Sequence, residues 1–300
     1  MIAIDLGSNT LRVVQFDCAS QKCIFAYEKI VKTADGLAYH GTISNEAVSR
    51  VIDAINEAKT QIDFSKDKIR AVATEALRSA ANKEEVIVKV KEQTGIAFEI
   101  ISGDEEAALT LLAVKKRFEN LPYASKNFIV VDIGGGSTEL IFHYSNQVFT
   151  KSFPLGIVTV AQSYCSLEEI EKALPGLMIQ MKTFCAEIYA VYGKADMFAA
   201  TAGTPTTVAA MKLNQSYATY DSRKINGTLL QKDELDFFLG KLLAMPFEQR
   251  EYMVGTGRSD LIAAGILIFK QLYTLLEFEE CMVVDDGLRE GVALEMCDKL

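Results

Sequence analysis

The fold is decided by the stretch Val130–Ile141, which reads VVDIGGGSTELI. An apolar run ends in the carboxylate of Asp132, three glycines follow, and a second apolar run begins after Glu139. This pattern predicts a strand, a tight turn and a returning strand. The glycines Gly134–Gly136 lack a Cβ, so the turn can bring its amides close to a polyanion. The alternative is a β-hairpin with a glycine turn and no ligand.

A second copy of this pattern opens the chain, since Ile2–Val14 reads IAIDLGSNTLRVV. Its carboxylate, Asp5, precedes Asp132 by 132 − 5 = 127 residues. A third turn rich in glycine and hydroxyls, Ala202–Thr207, follows the apolar run Met197–Ala200. Two Asp-x-Gly hairpins in two halves of the chain, with a third loop, predict a duplicated phosphate-binding arrangement and a cleft between the halves.

The bulk composition limits the class of protein. The chain has 300 residues, 49% hydrophobic and 24% charged, which favours a globular protein of two domains. A net charge of −9 argues against a general nucleic-acid binder. No apolar stretch approaches the ~20 residues of a membrane span, and the first residues form a core strand rather than a signal peptide. We therefore expect a cytoplasmic protein without nucleic-acid or membrane partners, whose anionic substrate is met by local amides, arginines and metal.

The cysteines and histidines argue against a zinc site. The chain has six cysteines, none in a C-x-x-C spacing, and only two histidines. The simplest interpretation is that the cysteines are core thiols in a reducing cytosol. They are Cys18, Cys23, Cys165, Cys185, Cys281 and Cys297.

The order of apolar runs and helix signals predicts an α/β protein, because strands alternate with helices. Each half opens with a hairpin, so both sheets should be mixed. Ser44 and Asn82 are expected to cap helices. In the second half, helices are predicted over Leu167–Ala173 and Pro175–Tyr192.

Taken together, these motifs resemble the exopolyphosphatase / guanosine pentaphosphate phosphohydrolase (Ppx/GppA) family, within the actin, sugar kinase and Hsp70 superfamily. The matching pieces are Asp5–Thr10, Thr74–Arg78, Ile101–Ala107, Asp132–Glu139, Pro154–Gly156 and Asp286–Gly291.

The resemblance implies two duplicated ribonuclease H-like domains with mixed sheets, an actin-like ATPase fold, and an interdomain cleft. The N-terminal domain would cover residues 1–117, with the final helix at 286–300 packing back on it, and the C-terminal domain residues 118–300. It further implies a homodimer that uses Mg²⁺ or Mn²⁺ to remove the terminal phosphate from polyphosphate or from guanosine pentaphosphate, which leaves the tetraphosphate.

The acidic residues of these motifs include a candidate general base and candidate metal ligands. Asp104, Glu105 and Glu106 begin a helix, where acidic residues are often only capping groups, and the resemblance makes Glu106 the general base. Metal candidates are Asp5, Asp132 and Glu139, because Mg²⁺ takes one or two carboxylates together with phosphate oxygens and water. In the resembled family, the residues matching Asp132 and Glu139 are associated with the metal.

The phosphate ligands should be amides, hydroxyls and arginine. Arg78 follows a buried strand, and a guanidinium suits bidentate contact with phosphate, so it joins Glu106 as a catalytic candidate. Hydroxyls of the turns can add donors, although they are also common turn caps. The candidates are Gly7, Ser8, Asn9, Thr10, Arg12, Gly134, Gly135, Gly136, Ser137, Thr138, Gly203 and Thr204.

One departure from the family keeps other functions open. Family members commonly carry arginine where this chain has Ala108, so a cationic contact near the base is missing or comes from elsewhere. The main interpretation is a hydrolase of polyphosphate, guanosine pentaphosphate or both. The alternatives are a regulatory protein that binds guanosine tetra- or pentaphosphate with little turnover, and an ATP-dependent small-molecule kinase of the same fold.

Overall fold

A computed structural model describes residues 1–122, 125–145 and 147–299. The chain divides into two compact units. Unit 1 consists of Met1–Ala113 together with Gly287–Leu300, and unit 2 of Val114–Asp286. The last segment of the chain therefore belongs to the same unit as the first.

Unit 1 contains a five-stranded mixed sheet with helices on both faces. Its elements in chain order are β1 (Ile2–Leu6), β2 (Thr10–Asp17), β3 (Lys22–Ile30), α1 (Leu37–His40), α2 (Asn45–Gln61), β4 (Ile69–Ala73), α3 (Glu75–Ser79), α4 (Lys83–Thr94), β5 (Phe98–Ile100) and α5 (Gly103–Phe118), whose last turns belong to unit 2.

The strand order in unit 1 is β3-β2-β1-β4-β5. The first three strands form an antiparallel meander, and β4 and β5 lie parallel to β1. One face packs on α2 and α4. The other face packs on α5 and on the last helix of the chain, α14 (Leu288–Asp298). Because β1 is covered on both faces, all five of its residues are buried.

Unit 2 repeats this plan with one additional strand. Its elements are β6 (Asn127–Ile133), β7 (Thr138–Tyr144), β8 (Gln147–Phe153), α6 (Ile157–Ser163), α7 (Leu167–Leu177), α8 (Ile179–Tyr192), β9 (Met197–Thr201), α9 (Gly203–Lys212), α10 (Ser222–Ile225), β10 (Thr228–Gln231), α11 (Lys232–Ala244), α12 (Phe247–Val254), α13 (Ile262–Leu276) and β11 (Glu280–Val283).

The strand order in unit 2 is β10-β11-β9-β6-β7-β8. Strands β6, β7 and β8 form the antiparallel meander, β9 and β11 continue the sheet in parallel, and β10 adds an antiparallel edge. The predicted α/β class, with a mixed sheet in each of two units, is confirmed. Among the described residues, no helix is both long enough and apolar enough to span a bilayer.

Local predictions differ from the structure at two helix boundaries, and a third is confirmed. Ser44 caps α2, and its hydroxyl accepts from the amide of Ala47. Asn82 precedes α4 but makes no capping bond, because its amide group binds the backbone of Ile43 at 2.9 and 3.0 Å. Pro175 lies inside the last turns of α7 rather than opening the next helix, and the boundary falls at Met178. A proline near a helix end removes only one donor, so the helix can continue past it.

The interpretation of all six cysteines as core thiols is wrong. Cys18 and Cys297 form a disulfide with a Cα–Cα distance of 5.4 Å, which links the β2–β3 turn to α14 within unit 1. Cys23 and Cys165 are exposed, and only the two remaining cysteines are buried thiols. Composition alone could not show this pairing, because the partners are 279 residues apart in sequence.

Candidate active site

The two Asp-x-Gly turns have the same backbone hydrogen bond. In the first turn the amide of Gly7 donates to the carbonyl of Thr10 at 2.9 Å, and in the second the amide of Gly134 donates to the carbonyl of Ser137 at 2.9 Å. Both pairs are related by the same offset, since 134 − 7 = 127 and 137 − 10 = 127. These bonds close the turns, so the amides of Gly7 and Gly134 donate within the protein. That Gly7 and Gly134 contact phosphate stays a prediction, and their amides already have a partner within the turn.

The amides of Gly135 and Gly136 point away from α6. The carbonyls of Gly134 and Gly135 accept from the amides of Ile157 and Val158, at 3.0 and 2.8 Å. These are the first two helical amides of α6. In a trans peptide the N–H lies opposite the C=O, so the amides that follow these two carbonyls face the other side. Two adjacent donors are thus held in fixed directions for an anion.

The first turn is held in a similar way by the segment 31–34. The carbonyl of Asn9 accepts from two amides of that segment at 2.9 Å, and the carbonyl of Ser8 accepts from a third at 2.8 Å. By the same trans geometry, the amides of Asn9 and Thr10 face away from this segment. Each unit therefore presents two backbone donors at its turn. They are the amides of Asn9 and Thr10 in unit 1 and the amides of Gly135 and Gly136 in unit 2.

The polar side chains of the turns are differently placed. Thr138 is fully buried, and its hydroxyl donates to the carbonyl of Leu155 at 2.5 Å, as expected of a structural group. Ser8 and Ser137 are each 3% exposed. Asn9 is buried as well, and its Oδ1 accepts no hydrogen bond within the described part of the chain. The hydroxyl of Thr138 is thus the least available of the predicted hydroxyl donors.

The loop predicted as a third phosphate contact leads directly into α9. Gly203 is the first residue of this helix, and Ala202 before it has a positive φ of 72°. Thr204 is 1% exposed, and a Cβ added at Gly265 of α13 would lie 2.2 Å from its Oγ1. The Thr204 hydroxyl is therefore packed between α9 and α13, which leaves the backbone amides of the helix start as donors.

In unit 1 a row of alternating charges crosses the sheet. Asp5 on β1 lies opposite Arg12 on β2, which lies opposite Glu28 on β3. The Arg12 Nε donates to a Glu28 carboxylate oxygen at 2.9 Å. Burial disfavours the charged guanidinium of Arg12, but Glu28 and Asp5 outweigh this effect and raise its pKa. Arg289 of α14 extends the row, 4.0 Å from the Glu28 carboxylate. The negative charge of Asp5 is therefore balanced by a cation on the neighbouring strand.

In unit 2 the same row carries two carboxylates. Asp132 on β6 lies opposite Glu139 on β7, and Glu139 lies opposite Ser152 on β8, whose hydroxyl donates to it at 2.7 Å. Asp132 and Glu139 are only 9% and 1% exposed. Placing two carboxylates side by side at low exposure is costly without a nearby cation.

A divalent cation fits this pair. Mg²⁺ is bound in proteins by one or two carboxylates and keeps phosphate oxygens and water as its other ligands. Within the described ranges no group of three or more His, Cys, Asp or Glu side chains is arranged for a metal. The two predicted ligands Asp132 and Glu139 lie together, whereas Asp5 has Arg12 as its neighbour.

The predicted catalytic pair is in direct contact. Arg78, at the end of α3, donates from Nη1 to Glu106 Oε2 at 2.7 Å and to the carbonyl of Ile101 at 2.9 Å. Glu106 lies in the first turn of α5 and is 8% exposed. Burial acts to lower the pKa of Arg78, but the Glu106 charge outweighs it, and the pKa is raised. The Nη2 atom of Arg78 is buried and lies 3.1 Å from Glu75 Oε2, so the guanidinium is held between two carboxylates.

Sequence reasoning overlooked two residues that shape this site. Glu75 contacts Arg78 from the preceding turn, and its i, i+3 spacing was the available signal. Gly156 packs directly against Gly135, because an added Cβ would lie 2.3 Å from the Gly135 carbonyl oxygen. The resemblance included Gly156, but no spacing in the sequence indicates this contact.

Comparisons with known proteins show which family this chain is similar to. The sequence profile of the Ppx/GppA phosphatase family matches residues 13–300. Exopolyphosphatase 2 of Mycobacterium tuberculosis is 26% identical, and the alignment covers 98% of this chain and 97% of that protein. Guanosine-5'-triphosphate,3'-diphosphate pyrophosphatase of Vibrio parahaemolyticus is 30% identical over 99% of this chain, which spans only 59% of that relative.

Solved structures give the same result. The crystal structure of the Aquifex aeolicus member of the Ppx/GppA family has a TM-score of 0.75 and 29% identity, over 99% of this chain and 97% of that one. An exopolyphosphatase from Cytophaga hutchinsonii has a TM-score of 0.85, and its 22% identity supports the fold alone. Because the family profile matches nearly the whole length, the chain belongs to the Ppx/GppA phosphatase family.

Proposed function

We propose that this chain is a phosphoanhydride hydrolase that releases the terminal phosphate from inorganic polyphosphate, from guanosine pentaphosphate, or from both. The relatives named exopolyphosphatase and guanosine-5'-triphosphate,3'-diphosphate pyrophosphatase support both substrates. The observation that carries the proposal is the contact between Arg78 and Glu106. It joins a guanidinium that suits phosphate to a carboxylate that can accept a proton.

In the proposed reaction, Glu106 accepts a proton from a water molecule as the water oxygen attacks the terminal phosphorus. The bond from that phosphorus to the bridging oxygen breaks, and the shortened chain leaves with the bridging oxygen. Arg78 and the outward amides at Gly135, Gly136 and Asn9 would balance the negative charge on the phosphoryl oxygens. These contacts supply the positioning and electrostatic stabilisation on which phosphoryl transfer depends.

We propose Mg²⁺ or Mn²⁺ as the cofactor, held by Asp132 and Glu139. The support is the pair of adjacent, nearly buried carboxylates on β6 and β7. Such a cation neutralises charge on phosphate oxygens and so favours the displacement. Asp5 would contribute less as a ligand, because Arg12 already balances its charge.

We also propose that each of the two turns contacts phosphate oxygens of the substrate. The shared turn hydrogen bond and the 127-residue offset support this arrangement. For the protein in the cell we propose a cytoplasmic homodimer without membrane or nucleic-acid partners. Because disulfides are uncommon in a reducing cytosol, the state of the Cys18–Cys297 pair in cells tests the proposed compartment. Light scattering on purified protein and the thiol state after rapid acid quenching of cells would test these two points.

The decisive test is Mg²⁺-dependent phosphate release from polyphosphate and from guanosine pentaphosphate. We expect Glu106→Gln to lower kcat by about 10²–10⁴-fold while substrate still binds, because it removes the proton acceptor. The matched control is Glu105→Gln, one residue earlier on α5, whose carboxylate pairs with Arg70 at 2.6 Å instead of Arg78.

The outcomes separate the hypotheses. Equal loss in both variants, or full activity of Glu106→Gln, would remove Glu106 from the role of base. Binding of guanosine pentaphosphate to wild-type protein with no phosphate release from either substrate would contradict the hydrolase proposal. That outcome would select the regulatory protein instead.

A further inference from the structure

The guanidinium of Arg78 is contacted by a second carboxylate, on the side away from Glu106. Its Nε donates to Glu75 Oε2 at 3.1 Å, and its Nη2 lies 3.1 Å from the same oxygen. Nη1, at the other edge of the group, contacts Glu106 and the carbonyl of Ile101. The side chains of Arg78 and Glu75 are 17% and 23% exposed.

The Glu75 carboxylate is itself oriented. The hydroxyl of Ser79, one turn later on α3, donates to Glu75 Oε1. This bond occupies the oxygen that does not contact Arg78, so Oε2 remains directed at the guanidinium. Glu75 thus has a fixed orientation supplied by its own helix, independent of α5, which carries Glu106.

We propose that Glu75 is a positioning residue for the reaction: it anchors the Nε edge of Arg78 while Nη1 exchanges Glu106 for the terminal phosphate of the substrate. This inference rests on the proposed function. In the free protein Arg78 and Glu106 neutralise one another. When phosphate takes Nη1, the ion pair between Arg78 and Glu106 is broken, and the Glu106 oxygen that faced Arg78 can accept a proton from water.

The physical reason for an anchor lies in the shape of the guanidinium. Arginine presents its donors in a rigid planar fork, so fixing one edge fixes the direction of the other. Without Glu75, the carboxylate left in contact with Arg78 is Glu106. The guanidinium of Arg78 would then rotate so that both of its edges contact Glu106. Phosphate would have to displace Glu106 from both edges, so Glu106 would remain in the ion pair.

The test is a double-mutant cycle in kcat/KM for phosphate release, with Glu75→Gln, Arg78→Lys and the combination. Glu75→Gln keeps the size of the side chain and removes its charge. We expect it to lower kcat/KM about tenfold in the wild-type background, and less than twofold when Arg78 is already lysine. Residues that act through one another give non-additive effects, whereas a general structural defect gives additive ones.

Glu99→Gln is the control, because Glu99 pairs with Arg70 on the same unit and its side chain is 55% exposed. It should leave kcat/KM unchanged. Glu75→Asp, which keeps the charge, should recover part of the loss. Thermal unfolding of each variant shows that it is folded under assay conditions.

The results distinguish this inference from the function on which it rests. Unchanged kcat/KM in Glu75→Gln, or an equal loss in both backgrounds, overturns the anchoring role of Glu75 while the hydrolase proposal stands. Wild-type activity of Arg78→Lys overturns the role of Arg78 in phosphate binding. Absence of phosphate release by wild-type protein overturns the proposed function itself.

Discussion

Replacing Gly156 by alanine should damage the glycine turn of unit 2 without any change of charge. An added Cβ would lie 2.3 Å from the carbonyl oxygen of Gly135, 2.4 Å from its carbonyl carbon and 2.5 Å from the nitrogen of Gly136. All three are backbone atoms, so no side chain can rotate out of the way. The φ of Gly156 is −132°, which alanine adopts readily, so the whole effect must come from this contact.

The size of the effect follows from these distances. A carbon–oxygen contact needs about 3.3 Å, so the turn and the start of α6 must separate by about 1 Å. Overpacking of this kind typically costs 1–3 kcal/mol, and the bonds from Ile157 and Val158 to the turn carbonyls would weaken. We expect a loss of about 3 kcal/mol in the free energy of unfolding, and a fall in Tm of about 6–12 °C.

The same displacement should also reduce activity. Moving catalytic groups by about 1 Å can lower the rate on the order of 100-fold. The amides of Gly135 and Gly136 belong to the peptides that must shift. The assay is phosphate release under saturating Mg²⁺, at a temperature at which circular dichroism shows the variant folded. The control is Gly240→Ala in α11, where an added Cβ meets nothing within 4 Å, and which should gain up to about 1 kcal/mol.

Two results would refute the reasoning at different steps. Wild-type stability of Gly156→Ala would show that α6 and the turn do not pack as closely as the structure has them. Reduced stability with full activity would show that the turn amides do not contribute to catalysis, and the phosphate-binding role of the turn would then be lost.

Three further predictions use the metal pair and the cysteines. Asp132→Asn should raise the Mg²⁺ concentration for half-maximal phosphate release by about tenfold or more. Removing a residue that only hydrogen-bonds to a metal ligand already lowers metal affinity by about this factor, and removing the ligand itself should lower it at least as much. An unchanged Mg²⁺ titration would count against Asp132 as a metal ligand. In native protein only the two exposed thiols, Cys23 and Cys165, should react rapidly with a thiol reagent. The buried thiols Cys185 and Cys281 should react after unfolding, and Cys18 and Cys297 only after reduction. Four thiols that react rapidly in native protein would contradict the disulfide. Reducing the bond between Cys18 and Cys297 should lower the free energy of unfolding by about 2–5 kcal/mol, measured by denaturant titration with and without dithiothreitol, because the bond closes a very long loop.

Features set by adjacent residues could be predicted from the sequence. The two hairpins, the helix cap at Ser44 and the acidic start of α5 all depend on side chains within a few positions of one another. The sequence predicted that Arg78 and Glu106 belong to one site but not that they touch. The structure shows a hydrogen bond of 2.7 Å between them.

Features set by tertiary packing could not be predicted in this way. The disulfide depends on α14 returning to the first sheet, across a separation of 279 residues. The contact of Gly156 with Gly135 depends on where α6 begins after β8. The amides of Gly7 and Gly134 donate to carbonyls within their own turns, through backbone hydrogen bonds that do not depend on the type of residue. In each case the partner is determined by the tertiary fold and not by neighbouring residues in the sequence.

The duplicated hairpins differ in the charge that faces the shared aspartate, and this difference supports placing the proposed metal in unit 2. The offset that relates Asp5 to Asp132 also relates Arg12 to Glu139, because 12 + 127 = 139. The register confirms that each pair lies directly across the ladder. One copy thus carries a carboxylate opposite a built-in cation, and the other carries a carboxylate opposite a second carboxylate. A cation from solution relieves repulsion only in the second copy, while in the first it would meet the guanidinium of Arg12. The reversal of a single charge therefore gives two similar turns different electrostatic surroundings: a carboxylate faces a guanidinium in unit 1, and two carboxylates face one another in unit 2.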